Sequence, residues 1–176
     1  MPFTSESVIL SDIMDKLPTF NTNAEITFDA ITIDRLLHSK LYHRRLRKTD
    51  PELYALMKVY EKEFADLKIA KANEIIKNLS SALSLVYEDA PMLLKAYLSY
   101  LIKDTYLLVF EDYSFRKCLV SAIMHTQLVT LFLYLKGISK KSLSKADIAL
   151  VISAYDKRAR HNSQISDEMY AVLEDL

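Results

Sequence analysis

The chain has 176 residues, enough for one domain with a real core, and its 51% apolar and 26% charged content is globular rather than disordered. A single glycine and four prolines leave little for the positive-φ turns of a hairpin meander, a dinucleotide-binding fold or a P-loop, so an all-α architecture is what remains. Lys plus Arg equals Asp plus Glu at 23 each, and the single cysteine, Cys118, excludes a disulfide framework or a cysteine-zinc module and fits a reducing, cytoplasmic setting.

The zero net charge hides a pattern. Residues 1–34 carry six acids against one lysine, and residues 35–48 carry six basic groups and no acid. Residues 161–176 carry four acids and no lysine or arginine. Acidic ends around basic segments suit an interaction protein better than an enzyme pocket.

Residues 1–32 read as an acidic N-terminal arm. A short helix is expected over 7–16, with Val8, Ile9, Ile13 and Leu17 on one stripe, ended by Pro18 and Asn21-Thr22-Asn23. Ile26, Phe28 and Ile31 fit a short extended stretch. The helical bundle is expected over 33–163. It opens with a basic helix over residues 33–48, capped by Thr32, with Leu36, Leu37, Leu41 and Leu46 on its apolar side.

Thr49-Asp50-Pro51-Glu52 is a strong helix start: Asp50 caps, Pro51 takes the first position, and Glu52 complements the dipole. Apolar residues follow at helical spacing from Leu53 to Val86 without a glycine or proline. The pattern predicts more than thirty helical residues, either as one rod or with a bend at 68–73.

From Pro91 the chain is apolar on most faces. Glu111-Asp112-Tyr113-Ser114 divides two helices, with Ser114 as a cap. The stretch 118–135 is the most apolar, but His125, Thr126 and Gln127 at its middle favour a buried helix over a membrane span. Phe110, Leu119, Ile123 and Leu131 are expected in the core. Gly137 sits where a helix C-cap needs a left-handed residue. Ser144-Lys145-Ala146-Asp147 resembles a capping box opening a helix to about Arg160, and residues 164–176 end the chain in a short acidic helix.

Most catalytic signatures are missing from the sequence. There is no nucleophile elbow, no zinc-protease motif and no Glu-x-x-His pair for a di-iron bundle. His38 and His43, five apart, diverge by about 140° on a helix, too far for a shared metal. Arg158 with His161, and Arg116 with His125, do not match the arginine–histidine spacing of small helical ribonucleases. His125 reads as a hydrogen-bonded core histidine and Cys118 as a small buried side chain. The sequence therefore points to a non-enzyme without cofactor, metal or small-molecule substrate, working through other protein subunits rather than a membrane.

Two candidate surfaces follow. Arg35, Lys40, Arg44, Arg45, Arg47 and Lys48, interleaved with Tyr42 and His43, form either a track for a DNA phosphate backbone or a helix face that is solvated or paired with the acidic N-terminal arm. Tyr97, Tyr100, Tyr106, Phe110, Tyr113 and Phe115, rimmed by Arg116 and Lys117, form a candidate protein interface in a homo- or hetero-oligomer.

Four stretches share one pattern: Leu36 to Arg47 leading into Thr49-Asp50-Pro51-Glu52-Leu53; the long amphipathic helix from Leu53; Leu107-Leu108-Val109-Phe110 with Phe115-Arg116-Lys117-Cys118-Leu119 and Ala122; and Leu143-Ser144-Lys145 with Tyr155 and Arg158. In this order, residues 33–163 resemble the α-helical A domain of GINS subunits, the assembly factors that accompany the replicative helicase. The resemblance implies a helical bundle and a non-catalytic role in DNA replication, at the nucleoid, through contacts with other GINS subunits and helicase-associated proteins.

Overall fold

Side-chain caps decide where the first helices begin. In the computed structural model, which describes residues 28–39, 50–106, 115–161 and 170–171, Asp29 accepts a 2.7 Å hydrogen bond from the Thr32 amide and starts α1 (Ala30–Leu37). Asp29 is thus the cap, and Thr32 lies buried inside the helix. Ile31 belongs to α1 rather than to an extended stretch and points outward. The helix stops at Leu37, well short of residue 48. The His38 amide closes onto the Asp34 and Leu36 carbonyls, and its Nδ1 lies 3.1 Å from the Asp34 oxygen, so the terminal carbonyls are satisfied locally.

Asp50 accepts from the amides of Glu52 and Leu53, and with Pro51 in the first turn it starts α2 (Pro51–Phe64), as the sequence predicts. The expected single long helix is three. The chain leaves α2 at Ala65 and turns extended at Lys68 before α3 (Ile69–Lys77), so the break spans 65–68 and meets the expected bend at its first residue. Asn78 then sends its side-chain amide to the Glu74 carbonyl and opens α4 (Leu79–Ser84). The division lets both α2 and α4 pack on the same central helix, which one straight rod could not do.

That central helix is α6 (Phe115–Lys140), which follows α5 (Ala90–Tyr106) and contacts α2, α4, α5 and α7 (Lys145–Tyr155). All six residues of 128–133 are buried. At 100° per residue they cover every side of the helix, so α6 is enclosed all round. Cys118–Lys140 is the one helix among the described residues long and apolar enough to cross a membrane, and 67% of its most apolar window is buried inside the bundle. Leu131 is in the core as expected, whereas Leu119 and Ile123 are half-buried. They stand one residue round from the buried line through Cys118, Ala122 and His125. Phe110, and the punctuation and cap expected at residues 111–114, lie outside the described residues.

Gly137 does not end a helix. α6 runs on to Lys140, and the left-handed residue is Lys141, with φ 66°. What Gly137 serves is a close approach: a Cβ there would sit 2.9 Å from Val86 Cγ2. The Leu143 amide then donates to the Val86 carbonyl, sealing the α6–α7 turn onto the end of α4. The capping box is as expected, with Ser144 and Asp147 bonded reciprocally at the start of α7. The described residues form an all-α bundle of seven helices, with α7 continuing into a π-turn over Asp156–Arg160. The segments 1–27 and 40–49, where the acidic arm and most of the basic cluster fall, lie outside the described residues. Of the expected C-terminal helix only Tyr170 and Ala171, both helical, are described.

Candidate functional site

The π-turn concentrates the polar chemistry of the described residues. Arg160, buried at 9% exposure, sends Nη1 to Asp104 Oδ2 at 2.5 Å and Nε to Asp156 Oδ1 at 3.1 Å. Its Nη2 donates to the Tyr100 hydroxyl at 2.6 Å and to His161 Nε2 at 2.7 Å, and the guanidinium lies 5.0 Å from the centre of the Tyr100 ring. Burial by itself would lower its pKa, but the Asp104 hydrogen bond and the charge of Asp156 raise it, so Arg160 is held charged. The Tyr97 hydroxyl donates to Asp156 Oδ1 at 2.6 Å. Burial first, and then that carboxylate, push the Tyr97 phenol well above its ordinary range.

Next to this cluster, His125 Nδ1 and the Tyr155 hydroxyl are 2.7 Å apart inside the core. Burial, with the charge of Arg160 adding to it, pushes His125 down to about 3, so its imidazole is neutral. A neutral histidine hydrogen-bonded in the core is what the sequence predicts. Cys118 is buried too, and burial raises its thiol pKa, which makes it a poor nucleophile.

A groove of about 730 Å³ opens beside the cluster. Its floor is one face of α7, with Ile148, Ala149 and Ile152 in the middle, and its far wall is Tyr87 and Leu93. Lys145 stands at one end, Lys157 and His161 at the other. A second hollow of about 520 Å³ lies where α1, α2 and α3 meet, edged by the exposed Ile31 and Ile69 and by the acidic Asp34 and Glu61.

The sequence-predicted residues are divided by this arrangement. Tyr97 is buried in the monomer and bonded to Asp156, which removes it from any interface. Tyr100 is 45% exposed, its ring beside Arg160, and Phe115 is half-buried. Tyr106, Arg116 and Lys117 are helical, Phe110 and Tyr113 lie outside the described residues, and the surface is therefore seen only in part. Of the basic cluster, Arg35 is described and is exposed on α1, while Lys40, Arg44, Arg45, Arg47 and Lys48 fall outside. Sequence reasoning missed Asp104, Asp156 and Arg160. Signals existed: Tyr97, Tyr100 and Asp104 recur at three- and four-residue spacing, as do Asp156 and Arg160, which puts each set on one helix face.

No family model, no curated protein and no solved structure matches the chain.

Proposed function

We propose that the protein is a non-catalytic assembly subunit that works by binding another protein, and that it acts in DNA replication as a GINS-like partner of the replicative helicase. The observation that carries the assembly reading is the contrast between closed chemistry and open surface. Asp104, Asp156, Arg160, Tyr97 and Tyr100 spend their polar groups on one another, and His125 spends its own on Tyr155. Among the described residues, Ala149 and Ile152 on the face of α7 beside them line the open groove. Groups poised for acid–base or nucleophilic work stand near an open pocket with hydrogen-bonding capacity to spare, whereas these are consumed by structure.

The replication reading rests on the order of the sequence stretches. Two of them, Asp50-Pro51-Glu52-Leu53 and Leu143-Ser144-Lys145 with Tyr155 and Arg158, fall on the starts of α2 and α7 and on the turn that ends α7. Native mass spectrometry of the full chain mixed with GINS subunits and replicative helicase from the same source tests it. A stable hetero-oligomer with little DNA affinity is the expected result. A monomer that ignores those proteins but binds DNA with a steep salt dependence, lost on Arg44→Glu with Arg45→Glu, would replace it with direct nucleic-acid binding through residues 35–48.

A further inference from the structure

One face of α7 has the spacing of a helix-packing seam, and among the described residues no helix lies across it. Lys145, Ile148, Ala149, Ile152, Ser153 and Asp156 all line the groove, each three or four residues after another on the same side. The π-turn keeps this face going. The His161 amide donates to the Asp156 carbonyl at 3.1 Å, and this five-residue step brings His161 back to the side where Asp156 stands. The seam therefore spans residues 145–161, about 24 Å at helical rise.

Its charge is as ordered as its spacing. The middle is apolar, with Ala149 exposed and Ile152 half-buried. Both ends are cationic, Lys145 at one and Lys157 at the other, and both lysines are exposed. Asp156 is the one acid among the described lining residues, and its carboxylate is already taken by Tyr97 and Arg160. An occupant that answers this surface has an apolar stripe at helical spacing and carboxylates at both ends.

We propose that the α7 groove binds an acidic amphipathic helix of a partner protein, about sixteen residues long, its apolar stripe over Ala149 and Ile152 and its terminal carboxylates on Lys145 and Lys157. This deepens the assembly reading and rests on it. The second hollow, edged by Asp34 and Glu61, has the opposite charge and does not compete for such a ligand.

The test is fluorescence anisotropy with the full-length chain and a fluorescein-labelled peptide of about sixteen residues, leucine at every third or fourth position and glutamate at both ends. The expected result is saturable binding, at least about tenfold tighter than for the same peptide with lysine ends. Ala149→Glu, at an exposed position, should weaken binding by about tenfold or more, and Lys145→Glu with Lys157→Glu should transfer preference to the lysine-ended peptide. Equal binding of the two peptides, or affinity untouched by both variants, overturns the proposal. If the chain forms its hetero-oligomer and Ala149→Glu leaves that complex intact, the groove assignment falls and the assembly reading stands.

Discussion

An imidazole enclosed in α6 is tolerable only when neutral, and that ties the stability of the fold to pH. Burial, reinforced by Arg160, lowers His125 from 6.5 to about 3 in the folded chain. The unfolded chain protonates at the ordinary value, so between those limits it holds more protons than the folded one. The sign follows: the stabilisation is fully present above about pH 6.5 and is lost as pH falls towards 3, at up to about 1.4 kcal/mol per pH unit. Urea unfolding at about pH 7 and pH 5 should show the loss, and His125→Gln should show a flatter profile over the same range. A wild-type profile as flat as the variant's would mean the imidazole is solvated. The partner of His125 makes a second prediction. Tyr155→Phe keeps the ring packing against Phe132 but strips the hydroxyl from the buried Nδ1, which should cost about 1–3 kcal/mol in the same assay. That His125 belongs in the core was legible from its apolar neighbours. Its partner thirty residues away was not, because nothing local marks Tyr155 off from the other tyrosines.

Helix starts were the most legible elements, because capping is local chemistry: Asp50 with Pro51, and Ser144 with Asp147, announce α2 and α7 within four residues each. Helix ends were less so. Residues 65–68, between α2 and α3, hold no glycine or proline, and the break there suits the packing of two separate helices on α6, information that lies far along the chain. Gly137 shows the same limit in reverse. A glycine ahead of polar residues reads as a C-cap, yet what it answers is Val86, which a Cβ would approach to 2.9 Å. Val86 is β-branched and stiff, so it yields poorly. Gly137→Ala gains about 1 kcal/mol of helix propensity. The crowding should outweigh that gain, for a net loss of about 1–2 kcal/mol. Val86→Ala should relieve it, giving a coupling of about 0.5–3 kcal/mol in a double-mutant cycle followed by denaturant unfolding. Strict additivity would show that Gly137 is not there for the packing.

At the scale of the molecule, the scarcity of glycine was enough to read an all-α bundle, and the apolar run through 118–135 was enough to read its enclosed helix. The groove was not legible. α7 is apolar on several sides, and only the fold decides that Val151 and Tyr155 face the core while Ala149 and Ile152 line an open seam. Nor was the way α1 is attached. Gln127 accepts from the Phe28 amide and donates to the Phe28 carbonyl, Asn73 accepts from the Ala30 amide, and the Tyr60 hydroxyl donates to Asp34. These ties join the start of α1 to three other helices, yet α1 packs chiefly on α3, while α6 packs extensively on four helices. Local opening should follow that difference, since an element with few neighbours opens well below the global unfolding cost. Native-state hydrogen exchange is therefore expected to find the amides of residues 128–133 exchanging only through global unfolding, and those of α1 exchanging faster by orders of magnitude. Gln127→Ala removes both hydrogen bonds to Phe28 from the middle of α6 without touching the fully buried side chains beside it. It should speed exchange in α1 further while residues 128–133 slow or quicken only in step with global stability. Equal protection of α1 and α6 in the wild type would mean that α1 opens only with the whole bundle, and that the few bonds at Phe28 and Ala30 bind it as firmly as the core binds α6.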